Sequence, residues 1–252
     1  MNCLLLGLLS AGTGAPGTAQ GLVFGVSGAR YEHVERVPFF GGVVVENDYV
    51  GQEAGAYLSG RITSEVVGLA MGLGTLQAES TAEEDFGAPI TLVHDETLEY
   101  ASLRLVAAVP RAGVELGGIL VHVVTEDRSV EPAVRLDRDE SWMAIPSALG
   151  WFGLGRGVSL WVSHGIAPLS AREARNQGVA GGASIRLPRS SFTLGVVGGD
   201  LVAFEADSRV GESWVVGVST YVGATDWQNG PDFGGQIRVG WVFSFFGDPN
   251  QD

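Results

Sequence analysis

The chain has 252 residues, of which 45% are hydrophobic and 17% are charged, and its formal net charge is −14. This composition excludes a disordered chain and a disulfide-stapled miniprotein, and the acidic balance argues against binding to nucleic acid or to an anionic membrane surface. The single cysteine, Cys3, lies in the N-terminal segment, so the remainder of the chain has no disulfide framework, no thiolate metal site and no cysteine nucleophile.

Residues 1–19 predict a signal peptide. A short apolar core over Cys3–Leu9 is followed by glycines, a proline and the small residues 17–19, which is typical of a secretory leader with its cleavage site. No Arg or Lys occurs in the first 29 residues, so the usual positive start is missing, and an ordinary apolar strand or helix is the alternative. We expect export and cleavage near Ala19.

From residue 21 onward, apolar and polar residues alternate with period two, and abundant valine and glycine favour strands over helices. The runs exceed the ~5–6 residues of an ordinary strand and suit the ~9–11 residues of a strand that crosses a membrane at a tilt. An even number of strands is expected, so either Phe39–Glu46 is a twelfth strand or one of eleven candidates is not a spanning strand. The candidates are 21–33, 49–63, 65–78, 96–109, 113–125, 143–153, 157–165, 178–188, 191–204, 213–223 and 233–246.

The connections and the two faces of these strands indicate how the sheet is oriented. The charged residues are too few to solvate long outer faces, which predicts apolar side chains facing lipid and small or polar ones facing a lumen. Tight turns at 63–64, 110–112, 154–157 and 188–190 alternate with longer charged segments at 32–48, 79–96, 125–141 and 165–177. Because alternation alone does not separate inside from outside, a soluble periplasmic lipocalin-like barrel with an apolar ligand remains an alternative.

Aromatic residues stand near the ends of several candidate strands, as expected for the girdles of a membrane barrel. These residues are Tyr49, Trp142, Trp151, Phe152, Trp161, Trp214, Trp241, Phe243, Phe245 and Phe246.

The leader, the glycine-rich amphipathic strands and the closing run Gly234–Phe246 resemble those of small, porin-like outer-membrane β-barrel proteins of bacteria. The resemblance implies an all-β protein, a closed antiparallel up-and-down transmembrane barrel of 10–12 strands. It divides the chain into a signal peptide over 1–19, a barrel over 20–247 and a short tail over 248–252. It places the protein in the cell outer membrane, with outer-membrane lipid, the barrel-assembly machinery and small solutes as partners. Such barrels commonly end on an aromatic residue, whereas here six residues follow Phe246.

Four arginines on the polar faces of four predicted strands form the candidate lumen site, with Glu115 and Glu53 as possible neighbours. One hypothesis is an internal ion-pair network that fills and rigidifies the barrel. The other is a passive small-solute channel with a cationic lining that favours anions. The arginines are Arg61, Arg104, Arg186 and Arg238.

Little in the sequence predicts catalysis. The four histidines show no zinc-binding spacing, and we expect no metal, no cofactor and no catalytic residue. The segment His94-Asp95-Glu96 could supply half of a proton-transfer pair for a barrel enzyme that hydrolyses lipid or peptide, although we favour an ordinary solvated charged loop. Ser163-His164 is a second, weaker candidate of that kind. The acidic segments 79–99 and 126–140 could bind divalent cations weakly or simply be solvated.

Overall fold

The computed structural model describes residues 21–38, 44–64, 66–85, 89–130, 134–165, 179–197, 201–223 and 233–244. The predicted signal peptide, Phe245, Phe246 and the tail over 248–252 lie outside the described residues. So does most of the predicted segment 165–177. The division into leader, barrel and tail therefore stays a prediction. No helix among the described residues is long and apolar enough to cross a membrane.

Twelve strands form the described part of the chain. They are β1 (Gly21–Pro38), β2 (Val44–Thr63), β3 (Val67–Asp85), β4 (Pro89–Val109), β5 (Ala112–Ser129), β6 (Val134–Gly155), β7 (Val158–His164), β8 (Val179–Arg186), β9 (Ser190–Val197), β10 (Leu201–Val210), β11 (Trp214–Gly223) and β12 (Phe233–Ser244).

Each strand pairs antiparallel with its neighbours in the chain, and β1 pairs with β12 to close the barrel. The predicted closed up-and-down barrel is confirmed, with twelve strands. Following cross-strand partners once around the ring from Val67 on β3 leads back to β3 at Thr81, 14 residues further along the strand. This offset is the shear number of the barrel. For twelve strands this shear requires a tilt of about 40°, as expected of a closed barrel.

Two details of the strand prediction are wrong. The candidate strand 191–204 is two strands, β9 and β10, which pair with each other on either side of residues 198–200. The twelfth strand is therefore not Phe39–Glu46. Residues 44–46 are the beginning of β2, and residues 39–43 lie outside the described residues. The error arose because apolar alternation resumes in the same phase after the two glycines at 198–199.

The barrel wall is taller on one side. Strands β1–β6 have 18 to 22 residues, whereas β7–β12 have 7 to 12. The chain ends of the barrel and the turns at 64–66, 110–111, 156–157, 187–189 and 211–213 lie at one end, here called the turn end. At the other, the loop end, the hairpins β1–β2, β3–β4 and β5–β6 extend beyond the short strands.

The extended hairpins correct the prediction of long loops at 32–48, 79–96 and 125–141, which are largely strand. Ion pairs cover their outer face: Arg128 Nε lies 2.9 Å from Asp95 Oδ2 and its Nη2 3.6 Å from Glu79 Oε2, and Arg135 pairs with Glu126. The charge of these segments correctly indicated that they face water. It did not indicate loops, because a sheet in water also carries charges on its outer face.

The two faces of the wall differ as the sequence predicts. Large apolar side chains alternate outward and are exposed, such as Leu105 at 69%. The inward side chains are buried and include polar ones, such as Glu115 at 0% and Arg238 at 3%, and an apolar cluster on β3–β5, formed by Leu76, Leu98, Ile119, Val121 and Val123. The outward apolar side chains form a continuous band, here called the apolar belt. Because a soluble barrel would expose polar side chains where this belt lies, the soluble lipocalin-like alternative is wrong.

Candidate functional site

The strongest inward-facing charge cluster lies near the turn end and centres on Glu115. The carboxylate of Glu115 on β5 is fully buried, with Oε1 2.9 Å from Arg61 Nη2 and Oε2 3.4 Å from Arg104 Nη1. Arg61 extends from β2 and Arg104 from β4. Three strands thus place their ionic groups at one point, and one carboxylate is shared by two guanidinium groups.

Two further side chains join this cluster. The guanidinium carbon of Arg61 lies 5.6 Å from the ring centroid of Trp151 on β6, within the range of a cation–π interaction. Arg186 on β8 is close enough to Arg61 for the two charges to interact. We call Arg61, Arg104, Arg186 and Glu115 the arginine cluster; it contains three guanidinium groups and one carboxylate.

A second buried cluster of opposite excess charge surrounds Arg238 on β12. Its Nη2 pairs with Glu205 and lies 2.8 Å from Asp207 Oδ1, both on β10. We call these three residues the acidic cluster. The strand between them, β11, stands six places from β5 in the twelve-strand ring, so this cluster lies across the barrel from Glu115. Arg61 on β2 and Arg186 on β8 come from the two sides between these positions. The arginines predicted to face the lumen thus belong to two separate groups.

Glycines opposite inward-facing aromatic residues make room for rings that lie against the wall. In three cases ring and glycine are direct cross-strand partners, and a methyl group at the glycine would overlap the ring. This explains part of the high glycine content, 38 residues. The pairs are Tyr57 over Gly25, Tyr100 over Gly74, and Trp151 over Gly113.

The aromatic girdle is smaller than predicted. Trp151 and Trp161 point inward and are buried, so their assignment to the girdle is wrong. Trp214 and Trp241 are outward-facing partners near the turn end, with ring centroids 4.6 Å apart in an edge-to-face arrangement. Trp142 faces outward toward the loop end, so these tryptophans bound the apolar belt at opposite ends.

A histidine–carboxylate pair lies in the extended hairpins beyond the belt. His94 Nδ1 is 2.6 Å from Asp127 Oδ1, and His94 Nε2 is 3.9 Å from Glu96 Oε2. The nearby carboxylates of Glu96 and then Asp127 raise the pKa of His94, although burial opposes this shift. Glu53 and Glu96 are both buried and flank Ala78 across neighbouring strands. His94 therefore belongs to an ionic cluster rather than to a solvated loop.

No family model and no curated protein matches the chain. Among solved structures, the transport unit of the autotransporter AIDA-I from Escherichia coli matches with a TM-score of 0.57 at 8% identity, covering 96% of this chain and 98% of that one. The chain has the fold of an outer-membrane β-barrel. The CymD monoaromatic hydrocarbon channel gives a TM-score of 0.46 at 9% identity, with 90% of both chains covered. The outer-membrane protease OmpT from Escherichia coli gives 0.34 at 10%, covering 90% and 98%.

The fold alone leaves the activity open. The predicted Ser163-His164 pair does not form a catalytic unit here. Ser163 faces inward and is buried, and successive side chains of a strand point to opposite faces, which places His164 on the outside of the wall. Within the described ranges, no group of three or more His, Cys, Asp or Glu side chains could hold a metal ion.

Sequence reasoning missed the carboxylate partners of Arg238 in this outer-membrane barrel. Glu205 and Asp207 occupy alternate positions of β10 and both face inward. A signal was present, since two acids two residues apart on a strand share one face. It was overlooked because the candidate strand ended at residue 204, so the acids were placed outside the wall.

Proposed function

We propose that the protein is a passive channel for small polar solutes in the outer membrane of a bacterium, with arginines lining the lumen near the turn end. One observation carries the proposal: side chains from β2, β4, β5 and β8 bring three guanidinium groups and one carboxylate together inside the barrel. Inward cationic groups attract anions and lower the barrier to their passage. Arg61, Arg104, Arg186, Arg238 and Glu115 are the proposed solute-facing residues.

The acidic cluster across the barrel from Glu115 supports the same proposal. Glu205 and Asp207 outnumber Arg238 there, so the inner surface has excess negative charge at β10–β12 and excess positive charge around Glu115. Such an arrangement orients dipolar solutes and makes selectivity depend on a few side chains. The competing role, a structural barrel whose ion pairs only rigidify the wall, uses the same residues but predicts no conductance.

Single-channel recording in planar bilayers tests the channel. Wild-type protein should conduct with a preference for anions. Arg104→Ala should shift the reversal potential in a salt gradient toward cations, and Glu205→Gln should shift it toward anions. Exposed Arg156, in the β6–β7 turn, supplies the matched control, because Arg156→Ala removes the same charge outside the lumen. Absence of conductance would favour the structural role. An ion preference that is the same in wild type, Arg104→Ala and Glu205→Gln would refute the selective channel.

A second candidate function, hydrolysis of a peptide or lipid at the loop end, is favoured by the contact between His94 and Asp127. A histidine oriented by a carboxylate can act as a general base toward water, and Nε2 faces the buried Glu96. A panel of fluorogenic peptides and phospholipids tests this. Turnover that is lost in both His94→Gln and Asp127→Asn, but kept in Asp137→Asn, would establish it; no turnover with wild-type protein would refute it.

A further inference from the structure

A groove crosses the outer surface of β4, β5 and β6 inside the apolar belt. Its volume is about 610 Å³. It is a shallow depression in which Ala101, Gly118 and Ala144 stand among the larger side chains of the belt, and Ser102, Ile119 and Ile145 also line it. The outward side chains and glycine that line it are Ala101, Leu103, Gly118, Leu120, Ala144 and Pro146. We call it the lipid-facing groove.

The polar boundary of the belt lies one row above this groove. Glu99, His122 and Trp142 are successive cross-strand partners, and the next outward row toward the turn end is Ala101, Leu120 and Ala144. Two residues separate same-face positions on a strand, a distance of about 7 Å. A molecule that fills the groove therefore needs only a few more atoms to reach the row of Glu99, His122 and Trp142.

His122 holds two carboxylates at this boundary. Its Nδ1 lies 3.2 Å from Glu99 Oε2 and its Nε2 lies 3.1 Å from Glu140 Oε1, while its ring stacks on Trp142 with centroids 4.3 Å apart. The carboxylates remain accessible, with side-chain exposures of 62% for Glu99 and 56% for Glu140. We call these four residues the acidic rim. Two carboxylates and one imidazole give it a net negative charge whether or not His122 is protonated.

The position of the groove defines the chemistry of its occupant. Within the belt the surrounding medium is acyl chain, and the shallow apolar depression lets one chain lie against the wall over two rows of side chains. At the rim, exposed carboxylates repel anionic headgroups and attract a cationic one, and the exposed Trp142 ring adds a surface for a cation–π contact. The complementary molecule has an acyl chain and an ammonium group separated by a glycerol-sized linker.

We propose that the outer wall of β4–β6 is a binding site for a phospholipid with an ammonium headgroup, with one acyl chain in the lipid-facing groove and the ammonium group at Glu99 and Glu140. The site does not depend on the lumen conducting solute. It requires only that the apolar belt faces lipid.

Native mass spectrometry of the detergent-solubilised barrel tests the proposal. The protein is incubated with dioleoyl phosphatidylethanolamine and dioleoyl phosphatidylglycerol at equal concentration, and the retained lipid is counted. Wild-type protein should retain phosphatidylethanolamine about threefold more than phosphatidylglycerol, the size expected for an exposed ion pair. The variant carrying Glu99→Gln and Glu140→Gln should still bind lipid but lose this preference.

Substitutions that fill the groove distinguish lipid bound in the groove from lipid bound elsewhere on the belt. Ala144→Leu should abolish retention of both lipids, and Ala101→Leu should do the same from the neighbouring strand. Ala183→Leu is the matched control, because Ala183 faces outward on β8, away from the groove. Heat-modifiable migration on gels checks that each variant is folded. Equal retention of the two lipids by wild-type protein would overturn the ammonium assignment, and groove variants that behave like Ala183→Leu would overturn the groove.

Discussion

The ring of Trp151 lies directly over Gly113, its cross-strand partner on β5. The indole covers the position that a β-carbon would occupy, and its other neighbour is the guanidinium group of Arg61. One tryptophan thus fills the gap that a glycine leaves in the wall and supports the arginine cluster. The glycine is required by packing, because its backbone does not adopt a positive φ.

Replacing this glycine tests the packing. Gly113→Ala should destabilise the barrel by about 1–3 kcal/mol, the usual cost of forcing an extra carbon into a filled site. Gly150→Ala is the matched control, because a β-carbon there would meet only Val162 Cγ1 at 3.9 Å and the Gly113 carbonyl at 4.0 Å. Urea unfolding in detergent micelles measures both. If the two variants unfold at the same urea concentration, the packing of Trp151 against Gly113 does not contribute to the free energy of unfolding.

The buried carboxylate of Glu115 should be far more important than a surface carboxylate in a similar ion pair. Glu115→Gln leaves Arg61 and Arg104 without their shared counter-charge, and loss of one partner from a buried pair costs about 3–5 kcal/mol. Glu126→Gln breaks the exposed pair with Arg135, which solvent screens, and should change the stability far less. The difference in urea midpoint between the two variants checks this. Adding Arg104→Gln to Glu115→Gln should restore part of the loss, since it removes one stranded charge.

Stability near the loop end should depend on pH through His94. Because its pKa is raised in the folded state, the folded barrel holds the proton more tightly than the unfolded chain. The stabilisation is therefore complete below the ordinary histidine pKa of about 6.5 and is lost as pH rises through the raised folded-state value. Hydrogen exchange of the β4–β5 hairpin between pH 5 and pH 9 should show weaker protection at high pH, and Asp127→Asn should flatten the profile. A profile that Asp127→Asn leaves intact would place the titration elsewhere.

Charge on the outer wall should be tolerated beyond the belt but not within it. Leu105→Arg places a guanidinium group against acyl chains and should cost about 2–4 kcal/mol when the barrel folds into lipid vesicles. Leu136→Arg, also at an exposed leucine but in the extended part of β6, should change stability little. Folding yield in vesicles and the urea midpoint give both values. Equal effects of the two substitutions would contradict the position of the belt.

The predictions that succeeded depend on local alternation. In β12, Ile237 and Trp241 alternate with Gln236 and Arg238, and this pattern predicts both the strand and the division between its faces. Burial confirms that division, with Gln236 and Arg238 inside and Ile237 exposed. The inward positions of Arg61 and Arg104 follow from the same rule. Whether these arginines select solutes stays a prediction.

The errors share a different cause. Charge at positions such as Glu79 and Arg128 predicted loops, but the ladder continues there because partners on neighbouring strands neutralise the charges. Trp151 and Trp161 were placed in the girdle because a tryptophan near a strand end suits an interface. Their positions in the period-two alternation place both side chains inside the barrel, and this pattern predicts their orientation correctly.

The sequence by itself determined that the chain forms long amphipathic strands, because period two is a property of the extended backbone and needs no knowledge of neighbours. Only the tertiary structure decided which strands close the ring, how far they are staggered and which side chains meet. Asp127 reaches His94, and Glu115 reaches Arg61 and Arg104, across strands that are separate in sequence. Such contacts depend on register and curvature, which arise when all twelve strands satisfy their hydrogen bonds together.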